Sequence, residues 1–305
     1  MHPPEMRQDP FEASDALQQL IDLGYMADMG GNQRKLLELT RRETQFNLGV
    51  VLMTAGRFAP AVPVFSKLVA DYPNEPRYFQ LLVHCQRGVG DYRASLVSME
   101  QWEQLSPENP ECAMLRVASL IALGEDAAAT NTMEQLVRCH GGAVERARPI
   151  ADLFALLGQW QASSEYAARA VKHEPNTPVP LLSAARAALE LGNFEQCAEF
   201  CMDATERDMA IPEAHHLLGA ALAWAGELEH AAQSFEMALK FAPKNYESLA
   251  FAAAVARALG NAGAAAVFDA DITDAAHLHH GDPARPVARR HTIRCAEAWQ
   301  KGVCS

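Results

Sequence analysis

Small and large apolar residues recur along this chain at a fixed interval of 34 residues. From Ala61, each step of 34 reaches another small residue: Ser95, Ala129, Ser163, Cys197, Ala231 and Ala265. From Gly49, the same steps reach other short side chains: Val83, Val117, Ala151, Ala185, Gly219 and Ala253. We call such a set of equivalent positions a column. Small columns of this kind predict pairs of helices whose backbones approach closely.

Glycine and proline mark the ends of the predicted helices. Seven of the 18 glycines form one column: Gly56, Gly90, Gly124, Gly158, Gly192, Gly226 and Gly260. Glycine adopts the left-handed conformation that ends a helix without a steric penalty. Another column contains Pro73, Pro107, Pro175 and Pro243, and proline cannot continue a helix.

A third column holds the larger core residues Phe65, Met99, Met133, Ala167, Cys201 and Phe235, which we expect to fill the space between neighbouring helix pairs. Asp269 takes this position in the seventh repeat. The aspartate predicts that the last helix ends early or shifts in register.

A 34-residue unit with these columns resembles the tetratricopeptide repeat, a helix–turn–helix unit. The resemblance covers Arg42 to about Ala276. It implies an all-α fold, a right-handed superhelical solenoid of about seven such repeats with helical caps, in which stacked hairpins bury a continuous core. The expected repeats are 42–75, 76–109, 110–143, 144–177, 178–211, 212–245 and 246–276.

Both ends of the chain carry further helix signals. We expect a disordered tail over residues 1–12 and capping helices over 13–41. The first of these helices has Ser14 as N-cap, Gly24 as its stop, and Leu17, Leu20 and Ile21 on its apolar face. A second stretch begins near Asn32 and runs into the first repeat. Residues 277–305 are expected to form a linker and a capping helix, with Pro286 at N1 and Gly302 after its end.

The charge is unevenly distributed. The chain of 305 residues has a net charge of −12, which argues against non-specific binding to nucleic acid or anionic membranes. Residues 281–305 carry five basic and two acidic side chains, so this tail is +3 and the remainder −15. A polar outer face on the cap explains the basic tail, and a phosphate-contacting surface is the alternative.

Localisation is read from apolar stretches and cysteines. No apolar stretch reaches the roughly 20 residues needed to span a bilayer, and the beginning of the sequence does not resemble a secretory signal. The seven cysteines lack disulfide-like spacing. We therefore expect a cytoplasmic protein.

The sequence lacks the common catalytic motifs, so we expect no enzyme activity, no cofactor and no metal. Cys197 and Cys201 share a helix face as metal ligands sometimes do, but both fall on packing columns, and we interpret them as core residues. The histidines at 277, 279 and 280, with His291 and Cys295 beyond, form a solvated loop in our interpretation and a metal site in the alternative.

The resemblance also implies a binding surface, because the first helix of each repeat lines the concave groove in that family. The candidate groove residues are Phe46, Val50, Met53, Gln80, His84, Arg87, Met114, Arg148, Asp152, Arg186, His216 and Arg257. Arginines on the inner face of an acidic protein suggest an acidic peptide held by bidentate contacts, with Phe46, Met53 and Met114 as apolar anchors. Alternatively, the arginines pair with Asp152, Glu190 and neighbouring helices. The function implied is a non-catalytic scaffold for a protein partner.

One feature of the family predicts a ligand class that the groove does not bind. In chaperone-binding members, a lysine and an asparagine hold a C-terminal carboxylate. Phe46 and Val50, then Gln80 and His84, occupy those positions here, which predicts that such tails do not bind.

The second resemblance is to the junction between catalytic domain and repeats in phosphodiesterases of the alkaline-phosphatase superfamily. It rests on Leu23, Gly24 and Tyr25, then Arg42, Glu43, Phe46, Asn47 and Leu48. It implies an alternative role, an accessory region detached from such a hydrolase.

Overall fold

The computed structural model describes residues 30–278, and almost all of this range is helical. It contains fourteen α-helices: α1 (Gly30–Thr54), α2 (Phe58–Asp71), α3 (Pro76–Gly88), α4 (Tyr92–Leu105), α5 (Pro110–Leu123), α6 (Asp126–His140), α7 (Ala147–Leu156), α8 (Trp160–His173), α9 (Pro178–Glu190), α10 (Phe194–Arg207), α11 (Pro212–Trp224), α12 (Leu228–Phe241), α13 (Tyr246–Ala258) and α14 (Ala262–Leu278). The all-α repeat fold expected from the sequence is confirmed. The predicted tail and Ser14–Gly24 helix, and the C-terminal cap from residue 279 onward, lie outside the described residues.

The helix ends follow the glycine and proline columns. All seven column glycines have positive φ, between 70° and 88°. Gly124 shows why glycine is needed there, because it ends α5 with a φ of 74°. The Gly124 N–H donates to Ile121 O, and the Glu125 N–H donates to Leu120 O. The opposite end of α5 begins with Pro110 at its first position, and Asn109 Oδ1 accepts hydrogen bonds from two backbone amides. Local chemistry thus fixes the helix boundaries.

The chain divides into two compact units, residues 1–88 and 89–305. In the first, α1, α2 and α3 enclose a buried cluster consisting of Ala61, Phe65, Leu68, Tyr78, Leu82 and Cys85. Gly49 of α1 faces the Phe65 ring so closely that a Cβ on Gly49 would lie 2.6 Å from Phe65 Cζ. The small column therefore makes room for the large one.

The second unit contains α4 to α14. Its cores are built by helices adjacent along the chain, and the side chains become smaller toward its C-terminal part. The α5–α7 core contains Met133, Leu136 and Ile150, whereas alanines dominate where α11 packs on α13. Gly219 of α11 repeats the arrangement of the first unit, since a Cβ there would lie 2.9 Å from the Phe235 ring.

The last described helix departs from one expectation. Asp269 does not end α14 early, because the helix continues to Leu278 and so includes two residues assigned to the linker. Asp269 instead lies on the exposed side and accepts hydrogen bonds from Arg257 at 2.9 and 3.1 Å. The neighbouring Phe268 packs against the core of α11 to α13 in its place.

Candidate binding surface

The candidate residues of the N-terminal unit are partly buried in its own core. Phe46, Val50 and Met53 of α1 pack against the Phe65 cluster. Phe46 meets Phe65 edge-on, with ring centroids 6.5 Å apart. The polar candidates on α3 (Gln80, His84 and Arg87) are half-buried. All six side chains therefore present only part of their surface.

An arginine–aromatic cluster holds the beginning of α1 against α3. Arg42 Nε donates to Tyr78 Oη at 2.5 Å, and its guanidinium lies 4.7 Å from the centre of the Tyr72 ring. The guanidinium of Arg77 lies over both Phe46 and Tyr78, at 5.1 and 4.9 Å. The hydrogen bond to Tyr78 raises the pKa of Arg42 despite partial burial. Cation–π contacts of this kind stabilise the packing. Sequence reasoning missed this cluster because only Phe46 lies on a candidate column.

In the C-terminal unit, the first helices of successive pairs (α5, α7, α9, α11 and α13) lie side by side, each in contact with the next. We call this layer the first-helix row. Met114 lies on α5, half-buried against the α5–α7 core. The charged candidates follow on α7, α9 and α13.

Asp152 joins α7 to α9. Its Oδ2 accepts from Arg148 Nη1 at 3.1 Å, one helical turn away, and its Oδ1 accepts from Ser183 Oγ of α9 at 2.7 Å. Both side chains of the ion pair are about two-fifths exposed. The pair lies at the surface of the first-helix row, where a ligand can reach it.

Arg186 continues the row from α9 to α11. Its Nη2 donates to Glu213 Oε1 in the first turn of α11. The Arg186 side chain is 51% exposed and that of Glu213 43%. Arg148 and Arg186 thus both engage carboxylates of the row itself, whereas Arg257 pairs with Asp269 on the second helix α14.

His216 has a different environment from the other candidates. It is buried, its Nδ1 lies 3.0 Å from Ser248 Oγ, and its ring centroid lies within 6 Å of those of Phe235 and Phe251. Burial, followed by the charge of Arg186, lowers its pKa to about 4. Since the structure places this side chain in the core, we leave His216 out of the binding surface.

The cysteine pair lies in the core, as expected from its columns. Cys197 and Cys201 are fully buried between α9, α10 and α11, and Cys197 Sγ donates to Leu217 O at 3.8 Å. Contact with Cys197 and burial raise the pKa of Cys201. Among the residues whose side chains are described, no three His, Cys, Asp or Glu side chains converge as metal ligands. The candidate histidines from residue 277 onward are not among the residues whose side chains are described.

Comparison with known proteins identifies the fold. The tetratricopeptide-repeat family model matches residues 43–75. A tetratricopeptide repeat protein from Parabacteroides merdae aligns with 84% of this chain and 98% of its own, with a TM-score of 0.64 and 14% identity. The chain contains tetratricopeptide-repeat units and has the tetratricopeptide-repeat fold.

Other solved structures share the fold of this chain at similarly low identity. The Cut9–Hcn1 hetero-tetramer of the APC/C aligns with 81% of this chain and 48% of its own, with a TM-score of 0.61 and 12% identity. The pilF protein of Pseudomonas aeruginosa aligns with 73% and 96%, with a TM-score of 0.54 and 11% identity. No curated protein matches the chain. Identities this low establish the fold and no finer relationship.

Two further questions from the sequence concern membrane spans and the hydrolase-associated alternative. Between residues 30 and 278, the helices are too short or too polar to cross a membrane. The comparisons and the described residues give no support to the hydrolase-associated alternative. Tetratricopeptide-repeat proteins are in general non-catalytic scaffolds for protein–protein interactions, and this protein has that fold.

Proposed function

We propose that this protein is a non-catalytic scaffold that binds an acidic peptide segment of a partner protein along the first-helix row of residues 89–278. The observation that carries the proposal is the presence of Arg148 and Arg186 on that row, both partly exposed and both already bound to carboxylates. An arginine that holds a side-chain carboxylate presents the geometry that a ligand carboxylate needs.

The energetics permit such an exchange. Exposed ion pairs contribute only about 0–1 kcal/mol each, because water screens the charges. Ligand carboxylates can therefore replace Asp152 or Glu213 at small cost, and the released acidic side chains remain solvated. The apolar candidate Met114 supplies the second part of recognition on this row. Phe46, Val50 and Met53, with Gln80, His84 and Arg87 as polar contacts, are a separate candidate surface within the first unit.

The proposal includes a cytoplasmic location and the absence of catalysis. All five described cysteines are free thiols, which suits a reducing compartment. The Cut9–Hcn1 structure is a hetero-tetramer, so one protein of this fold assembles with another chain.

The test compares two charge-matched double variants. Peptides would be selected from a randomised display library against the wild-type protein and their affinities measured by fluorescence anisotropy. We expect the selected peptides to be rich in Asp and Glu and to lose binding to the Arg148→Glu/Arg186→Glu protein.

The control is Arg93→Glu/Arg138→Glu, which changes the net charge equally on the exposed surfaces of α4 and α6, outside the row. It should retain binding. Selected peptides without acidic residues, or equal loss in both double variants, would contradict the proposal. Circular dichroism of each variant confirms that it is folded.

A further inference from the structure

The charged candidates of the first-helix row form a continuous chain of contacts from α7 to α11. Arg148 pairs with Asp152, whose other carboxylate oxygen accepts from Ser183 Oγ of α9 at 2.7 Å. Arg186 lies within one helical turn of Ser183 and pairs with Glu213 of α11. A ligand that crosses from α7 to α9 therefore meets two arginines on an uninterrupted surface.

The accessible part of this surface ends at α11. One repeat beyond Arg186 lies Ala220, and the other groove positions of α11 are His216 and Ala223. All three α11 residues are at most 7% exposed. In the same column as Ala220, Ala254 of α13 is buried as well. A ligand on the row thus finds no accessible side chain at the groove positions of α11.

At the other end of the surface, α5 contributes an apolar side chain. Met114 is the repeat equivalent of Arg148 and is half-buried against the α5–α7 core. The other groove positions of α5 offer less, since Ala118 is small and Ile121 is buried. A methionine side chain is flexible and adapts its shape to an apolar partner. The order across α5, α7 and α9 is therefore apolar, basic, basic.

The spacing of these three side chains follows from helix geometry. Packed helices lie about 8–10 Å apart, which is the lateral step from Met114 to Arg148. From Arg148 to Arg186 the row advances by one more helix and by one helical turn, about 6 Å along the axis. The backbones at the two arginines are therefore about 10–12 Å apart.

A peptide in the polyproline II conformation matches these intervals. It has three residues per turn and rises about 3.1 Å per residue, so every third side chain lies on the same face, about 9 Å further on. A β-strand returns to the same face at about 7 and 13 Å, which matches neither interval. A helix needs seven residues for each interval, hence about 15 residues in all, whereas a polyproline II segment needs about seven.

We propose that the ligand is an extended segment with one apolar and two acidic residues at intervals of three positions. The apolar residue contacts Met114, and the acidic residues bind Arg148 and Arg186. The inference rests on the proposed function and adds the spacing, conformation and extent of the ligand. Each ligand carboxylate replaces one from the protein, Asp152 at Arg148 and Glu213 at Arg186.

A series of labelled peptides tests the spacing by fluorescence anisotropy with the full chain. Each peptide contains one leucine and two aspartates, separated from one another by two, three, four or seven positions, and is made in both sequence directions. All peptides have the same length, composition and net charge. The spacing of three, in its better direction, should bind about tenfold more tightly than the others, because they leave one arginine without a ligand carboxylate.

A second measurement assigns each aspartate to its arginine. Changing the central aspartate of the spacing-three peptide to asparagine should weaken binding about tenfold with the wild type and with Arg186→Gln, and should have little effect with Arg148→Gln. The outer aspartate should show the opposite pattern. The matched control is Arg93→Gln on α4, where the side chain is 79% exposed, and it should retain both losses.

The outcomes separate this inference from the proposed function. Equal affinity at every spacing, with binding still lost in the Arg148→Glu/Arg186→Glu protein, would overturn the spacing and leave the proposed function intact. Tightest binding at a spacing of seven would overturn the extended conformation, because it indicates a helical ligand. Failure of every acidic peptide to bind the folded wild type would overturn both.

Discussion

The buried imidazole of His216 makes the stability of the protein depend on pH in a predictable direction. The ring is enclosed by Phe235 and Phe251 and its Nδ1 lies 3.0 Å from Ser248 Oγ. Its pKa is lowered from 6.5 to about 4, first by burial and second by the charge of Arg186. The folded protein therefore holds this histidine neutral at pH values where the unfolded chain binds a proton.

The sign follows from proton linkage. Between the two pKa values the unfolded state binds more protons, so the free energy of unfolding falls as the pH falls. The contribution is fully present above pH 6.5 and is lost as the pH approaches 4. Each unit of pKa difference between the folded and unfolded states corresponds to about 1.4 kcal/mol. Lowering the pH from about 8 to about 5 should therefore remove about 2 kcal/mol from the free energy of unfolding.

The assay is urea denaturation, followed by circular dichroism, of the wild type and the His216→Gln variant at both pH values. Glutamine keeps a hydrogen-bonding group near Ser248 but does not titrate. At the higher pH the variant should be less stable than the wild type. On acidification its free energy of unfolding should fall by about 2 kcal/mol less than that of the wild type. His230→Gln, at an exposed position on α12, is the control and should keep the wild-type dependence. If the wild type and His216→Gln lose the same free energy, the reasoning is refuted.

Two substitutions at glycines test the column assignments. Gly219→Ala should cost about 1–3 kcal/mol, because the new Cβ overlaps the Phe235 ring, and Phe235→Leu in the same chain should recover part of the loss. Gly124→Ala should cost about 1–2 kcal/mol, since alanine is strained at its φ of 74°. Gly142→Ala, at a residue in open space without positive φ, should have no effect, and equal thermal midpoints for the Gly124 and Gly142 variants would contradict the argument.

The repeat columns could be predicted because each reflects a backbone requirement. Positive φ at Gly124 and the approach of Gly49 to Phe65 exclude most side chains, so the sequence shows the constraint directly. Asp269 illustrates the limit of this reasoning. A single polar residue on a core column did not end α14, because Phe268 supplied the apolar contact from the preceding position.

Less of the candidate site could be predicted from the sequence. The contacts that define it join Asp152 to Ser183 and Arg186 to Glu213, at separations of 31 and 27 residues. Neither separation equals the repeat length, so a column comparison does not align the partners. His216 was assigned to the surface by its column, but two phenylalanines close around it, and one of them, Phe251, lies on no column that marks large residues.

The local character of the packing has a consequence for folding kinetics. Each core cluster within residues 89–278 is built by helices adjacent along the chain, so the loops that close during folding are no longer than about one or two repeats. Loop-closure entropy depends on the length of the loop and not of the chain. Folding can therefore start at any helix pair and spread to its neighbours, and added repeats lengthen the protein without raising the barrier to the first step.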